Sequence, residues 1–226
     1  MSEITIYLGN KTYSSWSLRP WLALKRTGAA FDEVVIPLSR PDTAAKIREV
    51  SPSGRVPALR HGPVLVWESL AICEYLAETF PAARLWPADP VPRALARAIS
   101  AEMHGDFATL RQCLPMDLSR DLRGAARIEE AQAEIDRVAA IWRDCRARFG
   151  VPGAHGSGDF LFGDYSIADA MFTPVATRFR TYGVTIDPVS AAYVEAVLDW
   201  PAMRDWVAAA KTEPWVIDYD AVRARR

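Results

Sequence analysis

Two adjacent hydroxyls, Ser14 and Ser15, stand where a polar stretch gives way to apolar residues recurring at helical spacing. A helix start offers N–H groups without acceptors and a partial positive charge, so an anion is favoured beside it. A thiol held there is biased toward thiolate, and a serine O–H adds one hydrogen bond to the sulfur. The competing reading is that one serine of the pair merely caps the helix. Farther on, Arg55-Val56-Pro57-Ala58 places a proline at the opening of a strand. With a cis bond before it, Val56 would offer both N–H and C=O to an extended peptide lying alongside. A third motif, Trp67-Glu68-Ser69-Leu70, opens a second helix. Ser69 and that helix start suit a carboxylate and Glu68 suits an ammonium, so together they suit the zwitterionic end of an amino acid. Ser69 as a cap with Glu68 as a first-turn acid accounts for the pair equally well.

The elements that position these residues follow from the hydropathy pattern. Ile4 to Leu8 alternates as a strand and stops at Gly9-Asn10. Leu18, Trp21, Leu22 and Leu24 then keep helical spacing up to Gly28, with Pro20 read into the first turn. Phe31 to Leu38 reads as a second strand and Pro41 to Val50 as a short polar helix or loop. A third strand begins at Val56, and the tight turn His61-Gly62 leads to a fourth, Val64 to Val66. Glu68 to Phe80 is an amphipathic helix closed by Pro81. Residues 1–83 thus read β-α-β-α-β-β-α. Residues 84–92, with Pro87, Pro90 and Pro92, read as a linker, and residues 93–226 as helices only. Those helices are Pro92 to Leu118, Ala125 to Phe149, one opened by Ser166-Ile167-Ala168-Asp169 as a variant capping box, Ser190 to Asp199, and Met203 to Lys211. The fold class is an α/β N-terminal domain followed by an all-α C-terminal domain.

Half of the 226 residues are hydrophobic, and the net charge of −1 comes from mixed charges. No block of Lys and Arg marks a phosphate backbone as partner, and Arg223, Arg225 and Arg226 read as a solvated tail, so no nucleic acid is expected. No apolar window approaches the roughly 20 residues of a membrane span and no signal-like segment opens the chain, so the expectation is a cytoplasmic protein without a membrane partner. Cys73, Cys113 and Cys145 are odd in number and far apart, and with His61, His104 and His155 they form no metal-like cluster. That usage points to a reducing compartment, no disulfide framework and no metal.

In order and spacing, the three motifs resemble the cytosolic glutathione transferase family. The resemblance covers nearly the whole chain, because Ser166 to Asp169 looks like that family's capping box in its helical domain. It implies a thioredoxin-like N-terminal domain that binds glutathione, and a helical domain that supplies a second-substrate pocket. The Ser14-Ser15 pair with Arg19 is most similar to the zeta class, whose pattern is Ser-Ser-Cys-x-x-Arg; Trp16 stands where that class has cysteine. Carried over, Ser14 would donate to the glutathione sulfur, with Ser15 the near alternative. Val56 would bond the cysteinyl main chain, Glu68 and Ser69 would hold the γ-glutamyl end, and Arg55 would lie beside the glycine carboxylate. The implied activity is attack of glutathione thiolate on an electrophilic small molecule, in a homodimer. Two alternatives stay open. One is a glutathione-dependent cis-trans isomerase of the maleylacetoacetate kind, with Arg19 and Arg111 toward an acidic substrate's carboxylates. The other is a non-catalytic glutathione-binding scaffold.

The wall of the second-substrate pocket is expected on the first long helix, at Met103, His104, Phe107 and Arg111. The last three would share a face at i, i+3, i+7 spacing, although a plain core or subunit contact explains such a stripe as well. Tyr7 ends the first strand near the place of a catalytic tyrosine in other classes and is read as a core residue. Cys73 is read as packing. With no cysteine between Tyr13 and Ser17, mixed-disulfide chemistry is disfavoured. Trp200, Trp206 and Trp215 are expected to pack the C-terminal helices together.

Overall fold

A computed structural model describes residues 3–124, 127–150 and 158–217. The basic tail at Arg223, Arg225 and Arg226, His155, and most of the Gly-rich stretch 150–158 lie outside the described residues.

Strands β1 (Ile4–Leu8), β2 (Asp32–Val35), β3 (Ala58–His61) and β4 (Val64–Trp67) form one sheet in the order β2-β1-β3-β4. β1 and β2 are parallel, which requires a crossover, and helix α1 (Ser15–Thr27) provides it. β3 runs antiparallel to both β1 and β4. Tyr7 faces Ala58, and Ala58 faces Trp67. This register brings the exit of β1, the entry of β3 and the exit of β4 to one end of the sheet. Ser14, Val56 and Glu68 follow or precede those three strand ends by a few residues, so the topology gathers the three motifs. Helix α2 (Thr43–Val50) lies between β2 and β3 in the chain, and α3 (Ser69–Thr79) follows β4 and packs on α1. Ile6, Leu8, Leu18, Leu22, Leu59 and Ile72 are fully buried in the core beneath that end.

Two local readings change. Pro20 is the sixth residue of α1, not part of its first turn, so the helix has no N–H to offer the Trp16 carbonyl. α4 (Pro90–Gly105) begins inside the stretch expected to be a linker: Asp89 accepts the Val91 N–H, and Pro90 and Pro92 occupy the first turn, where a missing N–H removes no bond. The prolines there start a helix.

Nor does α4 run on to Leu118. It stops at Gly105, Asp106 is extended and Phe107 is left-handed with φ 61°. A separate helix, α5 (Ala108–Cys113), then starts, with the Thr109 and Leu110 N–H groups donating to Glu134 of α6 (Ile128–Phe149). α7 (Ile167–Tyr182) is buried along nearly its whole length and packs against α1, α4 and α8 (Pro188–Asp199). α9 (Pro201–Ala210) completes the helical part. Trp200 stacks on Tyr165 at 3.6 Å, but Trp206 does more than join C-terminal helices. Its indole meets Trp21 of α1 at 5.0 Å and donates to the Lys11 carbonyl at 2.9 Å. Among the described residues no helix is long and apolar enough to cross a membrane.

The capping box of α7 is the most heavily bonded carboxylate in the interior. Asp169, wholly buried, accepts from the Ser166 N–H at 2.8 Å and its hydroxyl at 2.9 Å, from the Leu161 N–H at 3.0 Å and from the Tyr193 hydroxyl at 3.1 Å. Burial pushes its carboxyl up to about 6 against the pull of these donors. Asp169→Ala orphans several buried donors at about 1–3 kcal/mol each. The variant should therefore lose more than about 3 kcal/mol of unfolding free energy in a urea titration; a loss below about 1 kcal/mol would show that these bonds do not anchor the helical part.

Candidate active site

The second and third motifs meet around a cavity of about 580 Å³, a size suited to a small-molecule ligand. Arg55, Val56, Pro57, Glu68, Ser69, Trp16 and His104 line it, with Ser53 and Gly105. The Val56–Pro57 bond is cis. Arg55 is exposed and Val56 half-buried. Glu68 is the N-cap of α3 in a left-handed conformation with φ 71°, which a non-glycine residue holds at a cost of about 1–3 kcal/mol and which tends to mark ligand sites. Its carboxylate is exposed and lies 3.9 Å from Nε2 of His104. The Ser69 hydroxyl beside it is buried and has no hydrogen-bond partner among the described residues. Left so, a buried hydroxyl destabilises by about 1–3 kcal/mol, which a ligand oxygen at the α3 N-terminus would relieve.

Ser14 and Ser15 do not line this cavity. Ser14 is the N-cap of α1: its oxygen accepts the Ser17 N–H at 3.3 Å, and its O–H donates to the Ser17 oxygen at 2.8 Å. Ser15 lies deeper and accepts from Arg178 of α7 at 3.1 Å. That arginine also donates to the carbonyls of Leu114 and Pro174, so it braces α1, the end of α5 and α7 together. The residue that reaches the cavity from this loop is Trp16. At the second position of α1 its N–H has no helical acceptor, and Pro20 leaves its carbonyl without a helical donor.

Of the four residues expected on the second-substrate wall, His104 alone lines the cavity. Its ring meets Trp16 edge-on at 5.3 Å, and burial followed by Arg19 lowers its pKa, favouring the neutral form. Arg111 sits on α5 and not on the face of α4, because the chain breaks at Gly105; its guanidinium still reaches to 5.5 Å from the Trp16 ring. Met103 and Phe107 are buried in the core and do not line this cavity. Tyr7 lies in β1 outside the lining, and Cys73 is buried with its thiol pushed up to about 12, far from the thiolate form. Among the described residues no group of His, Cys, Asp and Glu is arranged to hold a metal ion. Sequence reasoning missed the Ser15–Arg178 bond, for which a separation of 163 residues leaves no local signal.

Comparison with known proteins adds a second line. The family description "Glutathione S-transferase, N-terminal domain" matches residues 13–79, and "Glutathione S-transferase, C-terminal domain" matches residues 125–209. A probable maleylacetoacetate isomerase of Caenorhabditis elegans is 41% identical over 86 residues, covering 38% of this chain and 39% of that protein. Glutathione S-transferase Z2 of Arabidopsis thaliana is 26% identical over 208 residues, 87% of this chain and 90% of that one. A solved glutathione transferase homologue from Burkholderia, with bound glutathione, has a TM-score of 0.68 at 29% identity over 93% of this chain and 99% of that chain. The matches to the first of the curated relatives span less than half of those proteins' own length.

The two serines are separable by experiment. Ser14→Ala removes a helix cap and should lower stability by about 1 kcal/mol. Ser15→Ala and Arg178→Met share one bond, so a double-mutant cycle on unfolding free energies should give a coupling of about 1 kcal/mol. Strict additivity would mean that the bond does not form.

Proposed function

Because the chain belongs to the glutathione S-transferase family, we propose that the cavity binds glutathione and holds it as thiolate for attack on an electrophilic small molecule. The observation that carries this reading is the partnerless Ser69 hydroxyl at the start of α3, beside a left-handed Glu68 and across from Val56. Ser69 and the helix N-terminus take the γ-glutamyl carboxylate, and Glu68 takes its ammonium. Val56 pairs with the cysteinyl main chain, and Arg55 faces the glycine carboxylate. The sulfur then lies toward the start of α1, where the Trp16 N–H is unclaimed and the Ser14 O–H can rotate from Ser17 onto it. The thiol proton passes to solvent. Each unit by which the thiol pKa falls corresponds to about 1.4 kcal/mol, and holding the electrophile against the sulfur adds the proximity effect.

In this reading residues 1–83 bind glutathione, residues 84–92 join the two parts, and residues 93–226 shape the second-substrate side. The protein works as a cytoplasmic homodimer. Val64 and Trp67 on the edge strand β4 and Val91 on α4 are exposed apolar residues of the kind a subunit contact covers. A second reading, a glutathione-dependent cis-trans isomerase, draws support from Arg111: its guanidinium donates to the Met103 carbonyl only at a long 3.5 Å, and it lies against Trp16, within reach of an acidic substrate. Arg19 cannot share that task, because it is wholly buried.

Calorimetry should show glutathione binding, weakened in Ser69→Ala by about 1–3 kcal/mol; equal affinity would remove Ser69 from the site. Ser14→Ala should lower kcat/KM for transfer to a test electrophile more than about tenfold, equal to about 1.4 kcal/mol, with little change in glutathione affinity, because the bond to sulfur strengthens as charge appears. A full rate in Ser14→Ala would leave the helix start to stabilise the sulfur without a hydroxyl.

A further inference from the structure

Arg19 is an anomaly in this interior. It is fully buried, and among the described residues none of its three guanidinium nitrogens has a hydrogen-bond partner. Arginine is rarely buried unless paired, because taking a charge out of water is strongly unfavourable. Its guanidinium lies 4.4 Å from the centre of the Trp16 ring, and the other neighbours of that ring are His104 and Arg111. The groups that face Arg19 come from every element around it: Arg178 of α7, Arg111 of α5, His104 of α4 and Cys73 of α3. Three of these are cationic or basic, and Cys73 is a thiol held neutral by burial. Glu68, at the cavity, faces His104. Desolvation, with Arg178 and Arg111 adding to it, draws Arg19 down to about 9. The arrangement is a buried positive charge without a counter-ion among the described residues, beside an indole that lines a ligand cavity.

We propose that Arg19 is the counter-charge for an anion bound on the far side of Trp16, and that, with glutathione in the cavity as read above, this anion is its thiolate. Arg19 is a positioning residue: it does not touch the sulfur, but its field reaches the cavity past the Trp16 indole, and its own burial limits screening by water. Loss of the thiol proton to solvent supplies the missing negative charge. The same unpaired cation makes the free protein less stable than a neutral residue of similar volume would, as buried charges replaced by apolar side chains commonly show.

The test compares the wild type with Arg19→Met and Arg19→Lys. Each is saturated with glutathione, and the bound thiolate is titrated by its ultraviolet absorbance. In Arg19→Met the bound thiol should titrate about one pH unit or more above wild type, while calorimetric affinity for S-methylglutathione, which has no thiol, stays within about twofold. Arg19→Lys keeps a cation and should titrate close to wild type. Without ligand, Arg19→Met should melt at the wild-type temperature or above. An unchanged titration in Arg19→Met overturns the proposal, and so does an equal rise in Arg19→Lys, since charge is then not the cause. Failure of Arg19→Met to fold also overturns it, by making the guanidinium a brace of the core. If the wild type binds neither glutathione nor its S-methyl form, the reading of the cavity fails first, which is a different result from binding with an unmoved thiol.

Discussion

The start of α1 is pinned to the end of β1 by a short chain of hydrogen bonds, and the rest of the site is built around that attachment. The Gly9 N–H donates to the Ser17 hydroxyl oxygen at 2.9 Å, and the same oxygen accepts from Ser14 at 2.8 Å. Room for this exists because residue 9 has no side chain: a Cβ there would lie 2.8 Å from Leu38 and 3.2 Å from Ser14. The close approach fixes where the helix N-terminus points and presents Trp16 to the cavity. The helical part is fastened to the same loop from the other side, by Trp206 on the Lys11 carbonyl and by Glu213 on the N–H groups of Lys11 and Thr12. The two parts of the chain therefore share one joint.

Behind the cavity basic groups predominate. Arg19, Arg111 and Arg178 come from α1, α5 and α7, and among the described residues the one carboxylate lining the cavity is the exposed Glu68. A positive interior beside a mixed-sign mouth suits a ligand whose outer end is zwitterionic and whose inner end becomes an anion. The left-handed Glu68 and the partnerless Ser69 hydroxyl are unfavourable in the empty protein. Their retention at one place is what ties the reading to a ligand rather than to packing alone.

Signals that act over three or four residues were legible in the sequence. Ser166 and Asp169 define the start of α7, Gly28 the end of α1, and the alternation of Ile4 to Leu8 the first strand. The grouping of Arg55, Val56, Glu68 and Ser69 was implied by the family resemblance alone; its cause is the order of strands in the fold, since a sheet with β3 beside β1 and β4 brings those loops to one end. What escaped was non-local or balanced between neighbours. The apolar period runs unbroken through Gly105 and Phe107, and only the Glu134 carboxylate from a distant helix shows why α5 starts afresh. Prolines 90 and 92 signal both a helix start and a linker, and only the cap at Asp89 distinguishes the two. The burial of Arg19 depends on α3, α4, α5 and α7 closing over it, which no local window contains.

The account stands or falls on the state of the bound sulfur. Calorimetry of glutathione binding near pH 7, repeated in buffers of different ionisation enthalpy, counts the protons released. A cysteine thiol of ordinary pKa, about 8.5, is largely protonated in free solution at that pH. Binding as thiolate should therefore release close to one proton per site for glutathione and none for S-methylglutathione. Equal proton counts for the two ligands would contradict the account, because the cavity would then hold the thiol and not its anion.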